Sequence, residues 1–546
     1  MKTKFRAPAL ALFSLAFILS VSQCGPSYPQ TDAGSRDAAY QTVKDYVTSH
    51  DTYEYVLSPE GEFVALFNSG AASWINRTLD KAAVRAIQAK LAPDLHIWLN
   101  DRGFAPAATR NTQGKTDATH YDAIWVRDNV WVYYALRSDP DRQFDAKSLL
   151  LALWDYYATD AQVNRFENII QDPSLALDKM AMPHVRFDGS SPDLGDVMID
   201  GKPQEWNHRQ IDAHGIFFTA LGEAVRDNFI DDSALTPGRF KVLSLYPRFL
   251  SAIKFYGYED AGAWEEIERK NTSSIGLATR SLQVWKNVIH NEDPKADTAF
   301  AKKFRGLLGD NEALLFAWGS DNLNDLIDKG LYTVRYQLQL GGESPDYPPD
   351  DVRFRLADAA LIFLIQPSPL DDISEREMRL ALTIVETLTR PMGVLRYRHD
   401  SYQSGNFWIS PPPGNSGAAL TDDTSSANAF LSRLKNFIPD TEAQWFFDSL
   451  LTLARLRLAE ITDNENLRRE DLYFAGVHLK RALGQITGDS ITADGTIVKA
   501  WLMPESINTV VIDGHRHYLP SPIVPLNWSK AALGMALRKY AASLSD

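Results

Sequence analysis

A chain of 546 residues, 45% hydrophobic and 23% charged, has an ordinary globular composition and the length for a sizeable core in one large unit or several domains. Its 70 acidic residues against 56 basic ones give a net charge of −14, which argues against nucleic acid and anionic membrane surfaces as partners. The single cysteine excludes an intrachain disulfide, and 13 Trp with 21 Tyr supply flat apolar faces that either stack on sugar rings or fill an aromatic core.

At the N-terminus, MKTKFR is a basic n-region and APALALFSLAFILSV is an apolar run too short for a comfortable membrane span, so residues 1–23 read as a secretory signal peptide. Cys24 follows at once in LSVSQC. Its position resembles the lipidated cysteine of a bacterial lipoprotein signal, although Gln23 stands where a small residue is expected. Lipidation of Cys24 and plain cleavage near it both stay open. A membrane is then reached only through a lipid on Cys24. Residues 24–36 are polar and breaker-rich and form a tether, and residues 37–80 form an N-terminal extension.

TYEYVL and GEFVALF, near residue 60, are the best strand candidates. Beyond them helical periodicity dominates. AHGIFFTALGEAV, RLADAALIFLI and EREMRLALTIVETLT read as helices. Phe447, Leu450, Leu451, Ala454 and Leu458 form a buried stripe on one helix face, and Trp528, Ala531, Ala532 and Met535 repeat that spacing. Long loops intervene: GGESPDYPPDD, SGNFWISPPPGNSG and DGHRHYLPSPIVP. Residues 81–546 therefore read as one helical domain, in which a ring of antiparallel helix pairs, a bundle and a solenoid all satisfy the periodicity.

Five stretches combine aromatic residues with carboxylates or arginine. In AIWVRDNVW, Arg127 and Asp128 interrupt an apolar run behind Trp125, a costly pair unless each charge is satisfied. It serves either as a buried salt bridge or as a grip on sugar hydroxyls. In EWNHRQIDAHG, Trp206, Arg209 and Asp212 open an apolar helix, where Asp212 could equally hold the helix start. In GAWEEIERK, Glu265 and Glu266 follow Trp264, leading into a further helix. RYRHDSYQSGNFW interleaves Arg396 and Tyr397 with Asp400, Tyr402, Asn406 and Trp408. MPES places Glu505 in a loop, and PLNWSKAAL starts a helix at Trp528.

In the same order along the chain, these stretches resemble the glucoamylase family, the family-15 glycoside hydrolases, which shares its fold with the α and β subunits of phosphorylase kinase. The resemblance spans Ile124 to Leu533. It implies an all-α (α/α)6 barrel with long catalytic loops and a short N-terminal extension. It also implies hydrolysis of α-glucosidic bonds from the non-reducing end with inversion. By that resemblance Glu265 matches the general acid and Glu505 the general base. Trp125, Arg127, Asp128, Trp206, Arg209, Asp212, Trp264, Glu266, Arg396, Tyr397 and Trp528 match the surroundings of the terminal sugar. Such chemistry needs one carboxylic acid to protonate the leaving oxygen and one carboxylate to activate water, with no metal or cofactor. The expected partner is an α-glucan or α-glucoside, with no protein partner implied. WNHRQIDAHG, DAALIFLIQP and TEAQWFF lean toward the kinase-subunit branch, so a glucan-binding or regulatory barrel without turnover stays open. A protein-binding solenoid is the third class.

Other signals are thinner. His515 and His517 in HRH are two histidines without an evident third ligand, Asp350 and Asp351 read as a solvated loop, and Ser416 in GNSGAAL reads as a turn residue.

Overall fold

The computed structural model describes residues 33–109, 120–199, 201–290, 298–409, 427–435 and 437–544. The signal peptide, Cys24 and Ser416 lie outside the described residues. The barrel is built, in chain order, from α1 (Lys81–Leu95), α2 (Val126–Arg137), α3 (Gln143–Tyr157), α4 (Ile211–Arg226), α5 (Pro237–Ala252), α6 (Thr272–His290), α7 (Ser320–Leu340), a 3-10 helix (Ala359–Leu364), α8 (Glu375–Glu386), α9 (Asp448–Ile461), α10 (Glu465–Gly484) and α11 (Asn527–Ser543).

Burial separates two layers. In α4 every residue from Ile211 to Gly222 is buried, and α9 is buried from Asp448 to Leu456. A helix covered on all sides belongs inside. Six such segments (α2, α4, α6, the 3-10 helix, α9 and α11) pack in sequence around a ring, and α11 closes it against α2. The outer layer alternates with them: α3 on α2, α7 on α6, α8 on the 3-10 helix, α10 on α9, and α1 on α11. This is an (α/α)6 barrel. The inner helices approach closely where side chains are small. A Cβ on Gly215 of α4 would stand 2.6 Å from the Ala278 nitrogen of α6, so this crossing requires glycine.

Three local expectations change. The apolar spacing around Leu450 is not a one-sided stripe, because α9 is an inner helix with neighbours on every side. RLADAALIFLI forms only a six-residue 3-10 helix, started by Asp358, whose side chain caps the Ala360 N–H at 2.8 Å. DGHRHYLPSPIVP is not all loop. Strands Ser506–Ile512 and His515–Pro520 form a hairpin closed by Asp513 and Gly514, both with positive φ (51° and 80°), the two-residue turn that Asp-Gly favours. The hairpin extends through Gln444–Trp445 and Gly393–Val394 to Thr389–Arg390 in an antiparallel five-stranded sheet. That sheet fixes the residue just before its longest strand, Glu505.

The strand candidates near residue 60 do pair, as Glu54–Leu57 with Phe63–Leu66. They lie against α10, with the Phe67 N–H donating to the Gly484 carbonyl at 3.1 Å.

Candidate active site

The first turns of the inner helices meet at one end of the barrel. Arg127 in the first turn of α2 donates from Nε to Asp212 in the first turn of α4 at 2.6 Å. Trp264 donates from Nε1 to Asp358 at the start of the 3-10 helix at 2.8 Å, and its ring lies 5.4 Å from that of Phe447, which precedes α9. Phe447 is in turn 6.2 Å from Trp528 in the first turn of α11. Helix N-termini carry unsatisfied N–H groups and the positive end of the dipole, so carboxylates gather at this end.

The two adjacent glutamates do not sit on a helix. A 3-10 turn, Gly262–Trp264, leads into Glu265, which holds a left-handed backbone (φ 57°, ψ 42°). This strained conformation sends the neighbouring side chains to different surroundings. The turn is fixed from three sides. The Gly262 carbonyl accepts from Arg127 at 3.3 Å, the Ala261 N–H donates to the Arg209 carbonyl at 2.7 Å, and Asn271 donates to the Asp260 carbonyl at 3.0 Å. Asp260 lies beneath it, raised to about 7 by burial and by the charge of Asp212.

Glu265 keeps partial exposure, 15% of its side chain, and faces Arg127 at 3.7 Å. Arg186, buried between Trp206 (4.1 Å) and Trp125 (4.7 Å), feels the Glu265 charge as well. Glu266 is 2% exposed. It accepts from the Tyr397 hydroxyl at 2.5 Å, from Arg396 at 3.1 Å and from Arg355 at 3.1 Å, with Arg269 3.7 Å away. Burial alone would push this carboxyl up, but the Arg355, Arg396 and Arg269 charges overcome it and hold it at about 2. Arg396 is itself fixed by Asp400 at 2.6 Å and sits over the Trp264, Tyr402 and Trp445 rings.

Glu505 is 4% exposed and has no cation bonded to it among the described residues. Its carboxylate accepts from the Tyr121 hydroxyl at 3.0 Å and from the Gln403 amide at 2.6 Å. Gln403 is oriented in its turn, because its carbonyl oxygen accepts from Ser506 and Asn508, each at 3.0 Å. Burial raises Glu505 to about 7 against those two donors and the more distant Arg396, with Asp128 adding to the rise. Asp128, 7% exposed, is likewise raised to about 7 by burial, opposed by Arg127 and reinforced by Glu265. Asp128 thus feels Glu265 on one side and acts on Glu505 on the other, joining three carboxylates into one electrostatic site.

Of the remaining sequence-predicted residues, Trp125 and Trp206 pack edge to face at 5.8 Å, and Trp528 lies 5.9 Å from Trp131. Arg209 reaches away, bonding Tyr258 at 2.9 Å, the Glu259 carbonyl at 2.7 Å and Glu268 at 3.2 Å, and so secures the segment leading to Glu265. The indole N–H groups of Trp206, Trp445 and Trp528 are buried without an acceptor among the described residues. Sequence reading missed Tyr121, Gln403, Arg186, Arg355 and Trp445. Gln403 and Trp445 stand inside the stretches RYRHDSYQSGNFW and TEAQWFF without being singled out there, and Tyr121 is an aromatic four residues ahead of Trp125.

His184, Asp196 and His208 lie together but do not suit a metal. His184 uses Nδ1 toward Asp196 at 2.6 Å and Nε2 toward the Met180 carbonyl at 3.0 Å, and its ring stacks on His208 at 3.6 Å.

No family model matches the chain. It is 39% identical over 163 residues to a protein of Escherichia coli (strain K12) named Uncharacterized lipoprotein YgeQ, a match of 29% of this chain and 61% of that one. It is 52% identical over 54 residues to the Putative protein YgeP of the same organism, 10% of this chain and 54% of that one. The chain thus spans less than two thirds of the length of these curated relatives. Among solved structures, a glycosidase aligns with TM-score 0.50 at 15% identity, covering 86% of this chain and 100% of the other. The glucoamylase from Saccharomycopsis fibuligera aligns with TM-score 0.47 at 14% identity, over 86% and 98%. The glycoside hydrolase family 15 glucoamylase from Hypocrea jecorina aligns with TM-score 0.43 at 12% identity, over 85% and 73%. The chain shares its (α/α)6 barrel fold with the glycosidase it aligns with, so the resemblance read from its five ordered motifs extends to the fold.

Proposed function

We propose that the chain is an exported glycoside hydrolase that releases sugar from the non-reducing end of α-glucosides with inversion. Glu265 protonates the glycosidic oxygen as the bond to the anomeric carbon breaks, and Glu505 takes a proton from the water that attacks the opposite face. The observation that carries this reading is the cradle of Glu505. A buried carboxyl raised to about 7, held by one hydroxyl and one amide and with no bonded cation among the described residues, is tuned to exchange a proton near neutrality. A residue of purely structural use would be caged like Glu266.

In this reading Asp128 and Arg127 orient the terminal sugar. Export rests on the signal-like N-terminus, and the name of the lipoprotein relative supports lipidation of Cys24. Among the described residues no helix is long and apolar enough to cross a membrane.

A panel of α-linked glucosides with anomeric analysis of the product tests the reading. The expected result is release of β-glucose from at least one α-glucoside, abolished in both Glu265→Gln and Glu505→Gln. Wild-type turnover in both variants would refute the assignment. Glucan binding without product from any panel member would make the protein a binding barrel instead.

A further inference from the structure

The outer wall of the barrel carries an exposed aromatic feature that the catalytic site does not use. On α7, Tyr332 is 72% exposed and Tyr336 is 46% exposed. Spaced four residues apart, they share one helix face. Their rings lie nearly parallel, 6° between planes and 6.3 Å between centroids. They line a surface groove of about 450 Å³ whose other members are Asp328, Leu331, Arg335 and Gln339. Single exposed apolar residues are ordinary, but two parallel rings with a polar rim present an ordered surface.

We propose that this groove is a second, non-catalytic glucan-binding site, with Tyr332 and Tyr336 as a stacking platform. The inference rests on the reading of the protein as an α-glucan hydrolase. Three features select a neutral sugar chain. Parallel rings offer flat faces to the C–H faces of successive pyranose units, while Asp328, Arg335 and Gln339 supply acceptors and donors at the edge for hydroxyls. Arg335 pairs its charge with Glu377 at 3.5 Å rather than offering it to the groove, which suits a ligand recognised through hydroxyls better than an anionic one. Two tyrosine faces present a few hundred Å² at most, too little for a stable protein interface of ~800 Å² per partner.

The position suits a long substrate. Between the tyrosines and the end of α7, Gln337 points inward and donates to the Lys270 carbonyl at 3.3 Å, five residues beyond Glu265. The platform therefore sits on the flank of the wall that also supports the Glu265 turn. A polymer held there stays near the site, which raises its local concentration without touching the chemistry.

The test compares wild type with the double variant Tyr332→Ala/Tyr336→Ala, using maltose and soluble starch, with Tyr332→Phe/Tyr336→Phe as the ring-preserving control. Expected are an unchanged kcat/KM on maltose, about a tenfold rise in KM for starch, and loss of retardation in a native gel containing starch, all restored in the Phe variant. Unchanged starch KM and retardation in the Ala variant would overturn the proposal, as would a changed oligomeric state by size-exclusion chromatography, which would make the face a self-association surface. Wild type that cleaves maltose but is not retarded by starch removes the platform and leaves the hydrolase reading intact. Retardation that the Ala variant abolishes, with no cleavage of any α-glucoside in the panel, keeps the platform and removes the hydrolase.

Discussion

Glu266 and Glu505 are both glutamates, both more than nine-tenths buried, and both within the field of Arg396, yet one is held at about 2 and the other at about 7. The difference lies in what touches them. Glu266 is enclosed by Arg355, Arg396, Arg269 and the Tyr397 hydroxyl, so it stays charged near neutrality and ties the 396–400 segment to the Glu265 turn. Glu505 is enclosed by neutral donors, so burial is only partly offset and its proton is exchangeable. Burial by itself does not identify a reactive carboxylate. The charge of its neighbours does.

The largest expected effect breaks the pair at its reactive end. Glu505→Gln should lower kcat/KM by about 10²–10⁴-fold while leaving the thermal midpoint near wild type, since a neutral amide suits a cradle of neutral donors. A lowered midpoint with retained turnover would reverse the roles of the two glutamates. At the other end, Glu266→Gln should cost about 3–5 kcal/mol in denaturant unfolding, because it leaves buried guanidinium groups uncompensated.

The pH dependence sharpens the contrast, and the signs are opposite. Glu266 has a depressed pKa, so its contribution to stability is present above about 4.5 and lost as pH falls toward about 2. Glu505 has a raised one, so its contribution is complete below about 4.5 and lost as pH rises through about 7. Urea unfolding from pH 3 to 9 should therefore show Glu505→Gln gaining on wild type as pH rises. Activity should fall as Glu505 gains its proton below about 7. Tyr121→Phe removes a donor to the ionised form and should move that acid limb upward by about one pH unit. An unmoved limb would exclude Glu505 as its source. The smallest effect tests the sheet that presents Glu505. Gly514 has φ 80° with open space where a Cβ would lie, so Gly514→Ala should cost only the backbone strain, about 1 kcal/mol in unfolding.

What the sequence made legible was local. Two inner helices and the turn before a third carry short runs in which an aromatic residue and a charged one are close, so Arg127, Asp128, Asp212 and Glu265 stand out by contrast with apolar surroundings. What it hid was contact across the chain. Gln403 reaches Glu505 only because its backbone is left-handed (φ 58°) and Asn508 turns its amide, and neither condition has a local signature. Arg355 belongs to the cage only after the 3-10 helix folds against the Glu265 turn. The expectation that Glu266 binds sugar hydroxyls followed from adjacency to Glu265, whereas the left-handed backbone of Glu265 itself turns Glu266 toward the arginines. Arg209 reads as a sugar-holding cation in its motif, but its three bonds all go to the 258–268 segment. The Asp513–Gly514 hairpin was readable from its turn dipeptide and was obscured by the prolines that follow.

The ring closure has a kinetic consequence. Trp131 on α2 packs against Trp528 on α11, and these residues stand roughly 400 positions apart, so the last inner helix must arrive before the first has its neighbour. Contacts of such sequence separation form slowly, because loop closure precedes the reward. Until that contact forms, α2 keeps one flank bare, and the end of the barrel that holds Glu265 and Glu505 is incomplete without it.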